Sequence, residues 1–90
     1  MEQIKVFLFS FGDGFAGSAK MALLSSEVLL QKGFDVTLFA SNNSLTASRA
    51  KSKNIPLVEL DSSQKFKTLI KEIIDFAEKE NPKIVIAYHS

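Results

Sequence analysis

Four short apolar runs constrain this chain more than any other feature: residues 4–9, 36–40, 55–60 and 84–88, each near-continuous rather than alternating with polar residues. A half-exposed strand alternates apolar and polar residues, whereas an unbroken apolar run of this length fits a parallel strand buried on both faces. Between the runs lie segments whose apolar residues recur with helical spacing. The order is therefore βαβαβαβ, and consecutive strands joined by helices build a parallel α/β sheet through right-handed crossovers.

Local signals place the boundaries. After the first run, residues 11–17 form a glycine-rich loop. From Ser18 to Lys32, the residues Ala19, Ala22, Leu23, Ser26, Leu29 and Leu30 fall on one helical face, and Gly33 follows as a C-terminal stop. The second run ends in the polar loop Ser41-Asn42-Asn43-Ser44, where Ser44 is placed to cap a short helix reaching about Lys53. The third run carries Pro56 near its start, where a missing N–H does least harm. Asp61-Ser62-Ser63-Gln64 then opens a helix with Asp61 as its cap. Its apolar stripe is Phe66, Leu69, Ile70, Ile73, Ile74 and Ala77, and Asn81-Pro82 ends it. Lys65, Lys67 and Lys71 are balanced by Glu72, Glu78 and Glu80, which describes a solvated face.

A doubly wound, Rossmann-like, three-layer sheet of these four strands takes the order 3-2-1-4. Right-handed crossovers then put the first two helices on one face and the third on the other. Two expectations follow: the face with one helix is under-covered, and strand four is an open apolar edge. Both make the chain the opening portion of a longer protein, or one completed by another chain or by self-association along strand four.

Composition narrows the function. Ninety residues fit one small domain, and 46% hydrophobic with 23% charged residues describes a chain with a core. Eleven basic against ten acidic residues leave +1 with no basic stripe, which argues against nucleic acid as a partner. No cysteine and one histidine leave neither a disulfide framework nor a zinc site, so no metal is expected. The apolar run near the N-terminus is too short for a secretory leader or a membrane helix, and the expected location is cytoplasmic.

Ligands of doubly wound sheets bind beyond the carboxyl ends of the strands, where the strand order reverses. In this chain the reversal lies between strands one and four. The segments meeting there are the loop 11–18 and the terminal Tyr88-His89-Ser90. Glycines in the loop let backbone approach a ligand, and the free N–H groups of the following helix favour a phosphate or carboxylate. His89 at the mouth is a candidate for acid–base chemistry or phosphate contact, or else an ordinary strand-end histidine. Asp13, between two glycines, reads as a turn residue. Residues 12–17 also spell G-x-G-x-x-G, a dinucleotide signature. Against it, Phe39-Ala40-Ser41 offers no acid to hold a ribose, and the helix before Gly33 is long for that motif.

The stretch Gly17-Ser18-Ala19-Lys20 through Lys32-Gly33-Phe34-Asp35-Val36-Thr37-Leu38, with Asn81-Pro82-Lys83-Ile84-Val85-Ile86-Ala87-Tyr88-His89-Ser90, resembles the N-terminal domain of family-4 glycosyltransferases of the two-domain GT-B fold. Ala16, Ala19, Phe34 and Lys83 stand where that family usually has Gly, Glu, His and Asp. The resemblance spans essentially the whole chain. It implies transfer of a sugar from a nucleotide-sugar donor to a glycan, lipid or other acceptor, without a tightly held metal or other cofactor. It makes residues 1–90 the first part of the acceptor-side domain, with the donor-binding C-terminal domain absent and the chain alone inactive. The full-length protein would be cytoplasmic or peripheral to a membrane. By the same resemblance Gly17, Ser18, Lys20 and Tyr88 are substrate-binding positions and His89 is catalytic, and Gly14 of the glycine-rich loop is a further expected substrate-binding position. Either Tyr88 or His89 matches the family's histidine near the end of strand four. The alternative is a stand-alone nucleotide- or dinucleotide-binding module, or a non-catalytic interaction domain.

Overall fold

The computed structural model describes residues 3–10, 17–61 and 66–88. Its elements run β1 (Lys5–Ser10), α1 (Gly17–Gln31), β2 (Asp35–Ser41), α2 (Leu45–Ser52), β3 (Leu57–Leu60), α3 (Phe66–Glu80) and β4 (Ile84–Tyr88). The four strands form one parallel sheet in the order β3-β2-β1-β4. This is the Rossmann-like α/β layout that the sequence predicts, with the reversal between β1 and β4.

Side-chain alternation on β1 sorts the core into two different halves. Val6 and Leu8 join Val36, Leu38, Leu57 and Ile86 on one face, packed against Ala22 and Leu23 of α1, Ala50 of α2, and Ile55. Phe7 and Phe9 join Phe39, Val58 and Leu60 on the other, under Ile73, Phe76 and Ala77 of α3. Phe39, fully buried, stacks on Phe9 with ring centroids 4.7 Å apart and meets Phe76 edge-on at 5.4 Å. Both contacts lie in the range where aromatic pairs attract beyond their burial.

The helix ends follow one rule with an instructive exception. Each helix terminates in a left-handed residue: Gly33 (φ 90°), Asn54 (φ 57°) and Asn81 (φ 50°). After α1 the Phe34 N–H donates to Leu29 O and the Gly33 N–H to Leu30 O; after α2 the Ile55 N–H donates to Ala50 O and the Asn54 N–H to Lys51 O. These are paired closures of the Schellman type. Pro82 has no N–H to give, so α3 closes with a single bond from the Asn81 N–H to Ala77 O, 2.8 Å. At the start of α2, Ser44 Oγ accepts the Ala47 N–H at 3.1 Å, the cap that the sequence predicts.

Two expectations need adjustment. The third strand starts at Leu57, not residue 55, because the Ile55 N–H is used to close α2 and Pro56 has none to donate. On α3 the inward stripe includes Phe76, while Ile74 is exposed. Residue 74 lies about 100° around the helix from Ile73, whereas 76 and 77 fall close to it. The opening of α3 at residues 62–65 lies outside the described residues.

Ion pairs tie the layers together at the surface. Lys5 Nζ lies 2.7 Å from Glu80 Oε2, fastening the end of α3 to the start of β1. Lys53 and Glu27 join α2 to α1 at 2.8 Å, and Lys51 and Glu59 join α2 to β3 at 2.9 Å.

Candidate functional site

β1 and β4 are in register through Val6 with Ile84 to Ser10 with Tyr88, so Ser10 and Tyr88 sit side by side where both strands end. β2 ends alongside, with Ala40 paired to Ser10 and Ser41 next in chain. Five apolar or small buried residues, Val6 to Ser10, carry the end of β1 to this point, and α1 starts again at Gly17. The first turn of α1, with Gly17, Ser18 and Lys20, therefore opens at the carboxyl side of the sheet. Backbone N–H groups of a first helical turn have no partner within the helix and attract anions. Gly14 and His89 lie outside the described residues.

Lys20 is exposed and lines a small cleft with Leu23, Leu24, Glu27 and Lys53, on the α2 side of α1. The fold thus brings Tyr88 to Ser10 at the switch point and sets the Lys20 side chain on the other flank of the helix. Sequence reasoning passed over Ser10 and Ser41, both buried, which end the two central strands at the floor of this region. A polar residue closing an otherwise unbroken apolar run was the available signal.

A second depression, about 580 Å³, lies beside β3 and under the flank of α3, lined by Val58, Leu60 and Phe76 and rimmed by Glu59, Asp61, Glu72, Asp75 and Lys79. Four carboxylates against one ammonium make it unfavourable for a phosphate. Lys51 holds the Glu59 carboxyl below the usual carboxylate range, chiefly by its hydrogen bond and then with help from the Asn43 N–H at 3.3 Å. Glu59 is therefore an ionised, structurally engaged group and no proton donor at neutral pH. Among the described residues no group of three or more acidic or histidine side chains is placed to hold a metal ion, and no helix is long and apolar enough to cross a membrane.

Compared with models of protein families, with curated proteins and with solved structures, the chain finds no match.

Proposed function

We propose that this chain is the first part of the acceptor-side domain of a GT-B-type glycosyltransferase, binding an anionic, phosphate-bearing ligand at the β1–β4 switch point while a nucleotide-sugar donor is held by a second domain. The observation that carries the reading is the juxtaposition of Ser10 and Tyr88 where β1 and β4 end, on the side of the sheet from which α1 sets out. A strand-order reversal at that place opens a crevice, and the helix start supplies N–H donors to it. The resemblance of residues 17–38 and 81–90 to family-4 glycosyltransferases adds the sugar-transfer chemistry. In this reading Gly14, Gly17 and Ser18 give backbone donors, Lys20 adds positive charge to the first turn, Tyr88 lines the crevice and His89 exchanges a proton with the acceptor.

Amide chemical-shift titration of the chain tests it, with inorganic phosphate, a nucleoside diphosphate-sugar and a dinucleotide as separate probes. Weak phosphate-dependent shifts confined to Gly17–Lys20, Ser10 and Tyr88 are expected. Shifts centred on β3 and α3 would sink the proposal. Tight dinucleotide binding by the chain alone would instead favour the nucleotide-binding module suggested by the glycine signature at residues 12–17.

A further inference from the structure

We propose that two copies of this chain pair through the open edge of β4, antiparallel about Ile86, giving one eight-stranded sheet with the two α1 helices side by side on one face. The inference rests on the edge and on α1, independently of any ligand. Lys83 N–H donates to Lys5 O at 3.0 Å, so it points at β1. Amides alternate along a strand, which turns the N–H and C=O groups of Ile84, Ile86 and Tyr88 towards the open side. Antiparallel pairing about Ile86 satisfies all three: Ile86 exchanges both bonds with its own copy, and Ile84 does so with the partner's Tyr88.

The two edges of the sheet are built differently. The β3 edge is four residues long, follows Pro56 and carries Glu59 in an ion pair with Lys51, devices that discourage a further strand. β4 has five residues and no charge, and Val85 is 58% and Ile84 41% exposed.

α1 extends the same surface. Its core stripe is already engaged, yet Met21, Leu24 and Val28, spaced i, i+3 and i+7, are exposed. Leu24 and Val28 form with Ser25, Leu29 and Ile86 an apolar groove of about 360 Å³. The helix patch and the strand edge are therefore continuous. Leu24 and Val28 adjoin Ile86 in that groove, so a two-fold axis at Ile86, perpendicular to the sheet, brings the strand edge and the helix patch of one copy towards those of the other. That is what selects a second copy over a lone strand or a lone helix, each of which would cover only one of them. The two Lys83 side chains fall at opposite ends of the paired strands, and like charges do not meet.

Five half-exposed apolar side chains with the strand backbone bury on the order of 1,000 Å² over two copies, at the threshold of specific interfaces. Because each copy uses up the one undefended edge among the described residues, the assembly closes at two.

The experiment is sedimentation velocity of the full chain from micromolar to submillimolar concentration, with circular dichroism to confirm folding. The expected species has twice the 9.9 kDa chain mass. Leu24→Glu and Val85→Lys, at exposed positions, should each weaken dimerisation by about tenfold or more by setting like charges across the axis. Leu45→Glu on exposed α2 should leave it unchanged. Mixing Leu24→Glu with Leu24→Lys chains should restore pairing as a heterodimer, which a mere folding defect would not allow. A wild-type monomer throughout the range, a dimer indifferent to both substitutions, or species that keep growing with concentration would overturn the proposal.

Discussion

The two faces of the sheet solve the same burial problem with different means. One is aliphatic and covered by two helices; the other is aromatic and covered by α3 alone. Phe7 and Phe9 are nonetheless only 2% and 8% exposed. Large rings bury more surface per residue than Val or Leu, so three interlocked phenylalanines on adjacent strands close much of the face themselves and need one helix as a lid. Coverage falls short towards the two edges: at β4, where Val85 and Ala87 are exposed on the α3 side, and beside β3, where the depression lined by Val58, Leu60 and Phe76 opens. The lesson is that a sheet face with few helices calls for bulk in the strands, and its stability then hangs on few residues.

That contrast can be broken at its centre. Phe39→Ala removes the ring that contacts Phe7, Phe9 and Phe76 and is expected to cost about 3–5 kcal/mol, a large part of the stability of a small domain. Leu38→Ala, equally buried on the aliphatic face, should cost less, near 3 kcal/mol, because two helices can settle into the space. Urea denaturation of both variants decides it, and a larger loss for Leu38→Ala would remove the distinction between the faces.

The aliphatic face has its own sensitive point, where α1 lies close to the sheet through Ala22 and the fully buried Ser26. Ser26 Oγ donates to Ala22 O at 2.8 Å within the helix, so Ser26→Ala leaves no orphaned partner in the sheet and should be nearly neutral. Ser26→Leu should cost about 1–3 kcal/mol by overpacking. Equal losses for the two would mean that the hydroxyl, and not the space, matters there.

Smaller effects come from the devices that hold α3 in place. Asn81 has a left-handed backbone, so Asn81→Ala should cost about 1 kcal/mol while Asn81→Gly is neutral or stabilising, as thermal melts would show. The Lys5–Glu80 clamp is the most modest. Its hydrogen bond, and then the Lys5 charge, hold Glu80 below the ordinary carboxylate range, and the same bond raises Lys5 above the ordinary lysine value. The Glu80 contribution is thus present above the ordinary carboxylate pKa and fades as pH falls through the lowered one. The Lys5 contribution is present below the ordinary lysine pKa and is lost as pH rises through the raised one. Melting temperature should be level across neutral pH and decline below about pH 4–5, with Glu80→Gln flattening part of that acid limb. An acid limb identical in Glu80→Gln would remove the clamp from the account.

Most of this architecture was legible in the chain. The unbroken runs identified doubly buried parallel strands, and Gly33, Ser44 and Asn81-Pro82 marked helix ends because each has a backbone or hydrogen-bonding property that a helix terminus requires. What escaped notice was two-sided. The core stripe of α1 hides its second apolar stripe at Met21, Leu24 and Val28, since periodicity reports where residues recur and not which recurrence faces the sheet. The exchange of Ile74 for Phe76 on α3 has the same origin, because aromatic pairing with Phe39 sets the rotation of the helix. Of the site, the position of the switch point followed from strand order, but the Ser10–Tyr88 pairing did not, because register is set by how the strands pack and not by their order. The direction of the Lys20 side chain did not, since it depends on how α2 packs against α1.

The strand order has a further consequence, in time. β1 lies inside the sheet, yet its two neighbours are β2, which follows soon after it, and β4, which comes only after β3 and α3. As the chain emerges during synthesis, β3-β2-β1 can assemble while one side of β1 waits for residues made after β3 and α3. Closing that long loop is slow compared with the local pairing of the first three strands. Until β4 arrives, β1, whose residues 6–10 are all buried in the finished sheet, is itself an edge, and the interval between the third strand and the fourth is when this chain is most exposed to pairing with the wrong neighbour.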